Sequence, residues 1–292
     1  MNVSNQNTMG IVFDKNLNEK KSLIIVNHPS DAGRLKMARW GVDGADDIGI
    51  VHTYFAFDSY PYPTEYSDSA IKELDSHCFY STLPWLTDTF REFLKLNLDD
   101  YERIAVWYGN QTSDLIFLYF FADYYGKPFH VMDIAQYARD MEVSAPSALS
   151  AFELSRLFGK ERLLTMAEVE DLRSNLKSIR LNDTGYHGIN NDGAVVNILP
   201  EQYTGILYSV LQQNGGELKM GRYIGQIIAE EIRFNSLDFI EKIIIYHLKN
   251  GLLKAFWIDD NTPIPPDQCR FVIEQFPDSR DFTYGKVVVR LP

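Results

Sequence analysis

Cysteine is almost missing from this chain: its 292 residues hold two, Cys78 and Cys269. Two thiols so far apart give neither a disulfide framework nor a cysteine-based zinc motif. A reducing, cytoplasmic compartment is therefore expected. Long apolar runs are also missing. The longest, "LIFLYFFA" at 115–122, falls short of the roughly 20 residues of a spanning helix. The N-terminal "MNVSNQNTMGIVFDKNLNEKK" lacks the apolar core and cleavage site of a secretory signal. A soluble protein with no membrane partner is expected. Basic charge is scarce, with 28 Lys and Arg against 40 Asp and Glu and a net charge of −12. Such a surface repels phosphate backbones, so nucleic acid is an unexpected partner. Residues 201–292 hold 10 basic and 12 acidic residues, which leaves −10 on the first 200. The motifs of familiar chemistry are missing as well. There is no three-glycine dinucleotide fingerprint, Walker loop, Gly-x-Ser-x-Gly elbow or HExxH pair. No repeat and no low-complexity tract is present. The sequence names no reaction, and it implies no particular cofactor.

What is present is ample core: 45% of residues are hydrophobic and 13% aromatic, on a length that suggests about two domains. Residues 1–21 read as a polar extension. The apolar stretch at 23–27 reads as a buried strand, and the helix after it has Ser30 available as its cap. "GIVHTYFAF" at 49–57 is a second strand, and the two prolines of "DSYPYPTEYSD" make a loop. A helix in two pieces is expected over 69–98, the second starting at Pro84. "RIAVWYG" is the third strand, 112–125 a helix and "PFHVMD" the fourth strand. This alternation predicts an α/β fold with a Rossmann-like, mostly parallel sheet over 22–140.

A helical linker is expected over 141–199, with a Thr165–Glu168 capping box and a hairpin signal at Asp192–Gly193. Residues 200–292 then order three helices and a closing hairpin, the pattern of a small winged-helix-like domain. Helical spacing gives its third helix a buried stripe of Leu237, Ile240, Ile243, Ile244 and Leu248. The outward face would then carry Asp238, Glu241, Lys242, Ile245 and Lys249. That face is neutral and partly apolar, unlike a helix that reads DNA. It suits a solvated or protein-contacting surface, with Ile245 as an anchor.

The stretches "HPSDAGRLKMA", "VWYGNQTSDLIFLYFFA" and "LSAFELSRLF" together resemble a bacterial domain-of-unknown-function family, family eighteen thirty-five. The C-terminal "IGQIIAEE", "LDFIEKIIIYHLKNGLLKA" and "KVVVRL" resemble its companion, family thirty-six fifty-eight. The resemblance implies an α/β N-terminal domain and a small helical C-terminal one. It implies no established activity. His28 stands where the family usually has glycine, and "DSYPYP" stands where it usually has a Gly-Pro-Leu segment.

In an open parallel sheet, ligands bind beyond the carboxyl ends of the strands. Four loops leave such ends. The first offers His28, Ser30, Gly33 and Arg34, and free amides at a helix N-terminus would suit an anion. The second offers Asp58. The third offers Trp107, Tyr108, Gly109, Asn110 and Gln111, an aromatic–amide set suited to a flat ligand. The fourth offers Asp133. These residues predict a site for a nucleotide or phosphorylated small molecule. The bland alternatives are that Ser30 only caps a helix, that both rings pack in the core and that Asn110 caps the next helix. The six histidines are scattered, and only His28 with Asp58 or Asp133 suggests an acid–base pair. His52, Asp58 and His77 have no recognised metal spacing, so no metal is expected. A protein partner is the alternative function, and DNA regulation a third.

Overall fold

The structure is a computed structural model that describes residues 17–53, 84–138, 143–190, 192–230, 237–269 and 285–292. The expectations at Asp58, His77, Cys78 and the first piece of the two-part helix lie outside the described residues. Contacts divide the chain into two compact units. The first comprises 1–55, 85–110 and 117–174; the second comprises 56–84, 111–116 and 175–292.

The first unit is an α/β protein built on a five-stranded, mostly parallel sheet. Strand β1 (Ser22–Val26) is followed by α1 (Pro29–Arg39) and β2 (Ile48–His52), which pairs parallel to β1. Next come α2 (Pro84–Leu94), β3 (Arg103–Tyr108), α3 (Thr112–Tyr125) and β4 (His130–Asp133). A single-turn helix α4 (Ile134–Tyr137), α5 (Ala151–Ser155) and the two-residue β5 (Arg162–Leu163) complete it. The strand order is β2-β1-β3-β4-β5, with only β5 antiparallel.

Alternation along the strands explains the layers. Ile24, Val26, Ile50, Ala105, Trp107 and Met132 share one apolar cluster with Leu35 and Ala38 of α1 and Leu154 of α5. The residues between them, Leu23, Ile25, Val51 and Val106, are equally buried. Continuous burial is why these strands read as unbroken apolar runs rather than polar–apolar alternation. Each such side chain contributes roughly 1.5–3 kcal/mol of transfer free energy. A separate aromatic cluster joins Phe90 and Phe93 of α2 to Phe117, Phe120 and Phe121 of α3.

One expectation is corrected at the first turn. Ser30 is not the cap of α1; His28 is, and its imidazole accepts the Ser30 N–H. Pro29 is the cause. Proline holds the residue before it extended, and its own fixed φ suits the first helical position. His28 is extended, at φ −104° and ψ 141°, so the helix opens two residues earlier than expected.

Helix α6 (Met166–Leu181) begins with Thr165 and Glu168 bonded in both directions, the capping box read from sequence. In the second unit, β6 (His187–Ile189) and β7 (Val195–Asn197) form an antiparallel hairpin. Its turn places Gly193 at φ 79°, a conformation that favours glycine. Then come α7 (Thr204–Gln213), β8 (Glu217–Lys219), α8 (Met220–Glu230), α9 (Leu237–Lys249), β9 (Lys254–Trp257) and β10 (Val287–Arg290). Strand β10 lies between β8 and β9, antiparallel to both.

The outward face expected for α9 is outward only in part: Lys249 is exposed and Lys242 half-buried, but two of its members are buried. Ile245 is 2% exposed and Glu241 0%. The segment from 183 to 204 packs on that side. Lys242 Nζ donates to the Gly185 carbonyl at 2.9 Å and sits 4.4 Å from the Tyr186 ring. Tyr246 bonds Glu201, and Thr204 Oγ1 lies 2.9 Å from His247 Nε2. Tyr186 and Tyr203 meet Phe239 edge-on. Periodicity identified the apolar stripe correctly; a covering from outside the helix leaves no trace in its own spacing.

Candidate functional site

In the first unit the chain runs from β1 outward to β2 and then returns to place β3 on the other side of β1. The loops after β1 and β3 therefore diverge at the point where strand order reverses, where open α/β sheets bind ligands.

At the end of β1, His28 Nδ1 lies 2.6 Å from Ser30 Oγ. The same nitrogen accepts the Ser30 amide at 3.2 Å. An imidazole nitrogen that accepts from an amide carries no proton, so the Ser30 hydroxyl donates to it and Nε2 holds the ring proton. His28 and Ser30 both keep an open edge to solvent. The protein around the ring nevertheless pushes the His28 pKa below its ordinary value, while the Asp31 carboxylate pulls the other way.

Asp31 is the next residue and is 2% exposed. Its Oδ1 accepts the Ser147 amide at 2.7 Å. Burial pushes its pKa up; the Ser147 side chain and amide and the nearby His28 hold it down in part. Ser30 Oγ is 3.4 Å from Ser147 Oγ. One turn along α1, Gly33 and Arg34 are exposed. A Cβ built on Gly33 meets nothing within 4 Å.

Residues 143–149 fill the gap beside this cluster. The Ser144 carbonyl accepts the Asn110 amide at 3.0 Å, while Ser147 reaches Asp31. Val143 and Leu149 of the same segment join the apolar cluster of α1. Gly109 is shaped by this crossing, because a Cβ there would lie 1.8 Å from the Ser144 oxygen.

The sequence candidates therefore separate. His28 and Ser30 are in contact, and Gly33 and Arg34 follow them on the same helix. Trp107 is 1% exposed; its indole N–H donates to Glu161 at 3.1 Å and its ring packs on Phe158. Tyr108 donates its hydroxyl to Asp133 at 3.3 Å, and burial raises its pKa. Asp133 also accepts the Gln136 amide as the cap of α4. Two strand positions separate Asp133 from β1, or roughly 10 Å at ordinary strand spacing. Asp31 is a carboxylate whose charge acts on His28. Asn110 Oδ1 is buried without a hydrogen-bond partner among the described residues. Gln111 groups with the second unit and its carbonyl accepts the Leu115 amide. Asp58 lies outside the described residues.

Sequence reasoning missed Ser144 and Ser147, which lie more than a hundred residues from Ser30 and carry no local signal. At the ends of β1 and β2 it also passed over a buried polar pair, in which Thr53 Oγ1 donates to Asn27 at 2.9 Å. Beside them His52 is 7% exposed. Burial, Lys36 and His28 together lower its pKa to about 4.

Among the described residues no group of three or more His, Cys, Asp or Glu is arranged to hold a metal ion. No helix among them is long and apolar enough to cross a membrane. In comparison with known proteins, no family model matches the chain and no curated protein matches it.

Proposed function

We propose that the first unit is a Rossmann-like binding domain for a nucleotide or phosphorylated small molecule, seated against His28, Ser30, Gly33 and Arg34. The observation that carries this reading is the open-edged His28–Ser30 pair at the end of β1, beside the reversal of strand order. The positive end of the 11-residue α1 favours negative charge there. The Nε2 proton and Arg34 supply donors, and Gly33 keeps the approach unobstructed. Because residues 143–149 fill the gap at Gly109, this ligand lies on the α1 side, with Trp107 behind it as core. Residues 200–292 we read as a winged-helix-like domain, from their order of three helices and a closing hairpin.

Thermal-shift measurements with ATP, ADP, pyrophosphate and phosphorylated metabolites test the reading. At least one of these compounds raises Tm for the native chain. Ser30→Ala and Gly33→Val remove that response, and the open space around Gly33 lets the valine variant fold. A panel without any shift, or a shift that both variants retain, overturns it.

A protein-contact role is the second reading. It is favoured by Trp40, 80% exposed, and Met37, 53% exposed, near the end of α1. A DNA role is disfavoured by the buried outer side of α9.

A further inference from the structure

We infer that Ser30, His28 and Asp31 form a nucleophilic centre that cleaves an acyl ester or thioester. The inference rests on the proposed ligand site at this end of the sheet and adds chemistry to it.

Three roles are filled by adjacent residues. The nucleophile is Ser30, whose hydroxyl lies 2.6 Å from an imidazole nitrogen. That distance is short even for a hydroxyl donor. The base is His28. The Ser30 amide donates to Nδ1, so that nitrogen carries no proton and can accept the one from the hydroxyl 2.6 Å away. The third role is electrostatic. Asp31 is the next residue on α1, is buried, and its charge favours protonated His28. Ser147 holds that carboxylate through its amide. Helix capping explains the bond from the Ser30 amide to His28. It does not explain the second, shorter bond from the hydroxyl, which capping does not require.

In the reaction, Ser30 Oγ bonds to the acyl carbon while its proton passes to His28 Nδ1. The imidazolium that forms is stabilised by Asp31. The bond from the acyl carbon to the leaving oxygen or sulfur breaks, and the leaving group takes that proton. Water then attacks the acyl-serine with His28 again as base, releasing the carboxylic acid and restoring Ser30. No oxidant, reductant or cofactor is needed.

The test is labelling of the full chain with a fluorophosphonate probe, which modifies activated serines, followed by peptide mass mapping. One adduct on Ser30 is expected. Ser30→Ala removes it. His28→Asn slows it about 100-fold or more, the scale of general-base assistance. Asparagine still caps α1 well, so this variant removes the base while keeping the helix start; circular dichroism checks both variants. Absence of a Ser30 adduct in the native chain, or labelling of His28→Asn at the native rate, overturns the inference. Retention of a nucleotide-induced Tm shift without labelling refutes the chemistry alone. Labelling without any such shift refutes the phosphate-ligand reading alone.

Discussion

A methyl group added at Gly109 would sit 1.8 Å from the Ser144 carbonyl oxygen, with further backbone of 144 and 145 inside 3 Å. Neither side can yield without breaking the Asn110–Ser144 bond. Gly109→Ala is therefore expected to destabilise by about 3 kcal/mol or more, the range of buried steric and backbone conflicts, read as a lower urea midpoint. Gly33 behaves in the opposite way. Its added Cβ meets nothing, and it lies inside α1. Gly33→Ala should raise stability by roughly 0.5–1 kcal/mol through helix propensity. Both glycines stand among the candidate ligand residues when read in sequence. The distinction was illegible because Gly109 is set by residues 35 positions away. Asp31 allows a finer test. Its negative charge raises the His28 pKa, against burial. Asp31→Asn keeps an acceptor for Ser147 and removes the charge, so His28 should titrate at lower pH. An NMR titration of the His28 ring reads this, with His52 followed alongside because the two histidines feel each other. An unchanged or higher His28 midpoint would contradict the arrangement.

Local chemistry at element boundaries was readable. Helix α3 starts at Thr112 and ends at Tyr125 as read in sequence, with Gly126 just beyond it, and the Thr165–Glu168 box opens α6. The cap expected at Ser30 lies at His28 instead, because Pro29 holds the residue before it extended and takes the first helical position. Strand β8 went unread because three residues with only Leu218 buried carry no period. At α9 the apolar stripe was legible, and the burial of Ile245 in the same core was not. That burial gives a sharp expectation. Were Ile245 an anchor on an open surface, Ile245→Ala would leave stability within about 0.5 kcal/mol. Buried as it is, the substitution should cost about 2–5 kcal/mol. Denaturant unfolding followed by the fluorescence of Trp257, which packs against the same core, distinguishes these outcomes.

Across the whole molecule, buried histidines set the response to acid. His28, His52, His130 and His247 all have lowered pKa values, chiefly through burial. Such a group takes up a proton more readily in the unfolded chain. Stability from neutral histidine is thus fully present above the unfolded value of about 6.5 and declines as pH falls toward the folded value. For His52 the window runs from about 6.5 down to about 4. One proton over that interval corresponds to about 3 kcal/mol. Asp31 acts in the opposite sense: its raised pKa means the folded state protonates first, so it returns some stability as pH falls toward the ordinary carboxylate range. Glu168 adds a separate loss below about 4.5, because bonds from Thr165 and Arg162 hold its pKa to about 2. These windows can be resolved by urea midpoints measured from pH 7.5 to 3.5. His52→Gln has its own packing cost at every pH, so the informative quantity is how the difference from the native chain changes with pH. That difference should shrink as pH falls from 6.5 to 4 and then level off. A difference that stays constant across the interval would show that His52 titrates normally and that the acid response arises elsewhere in the molecule.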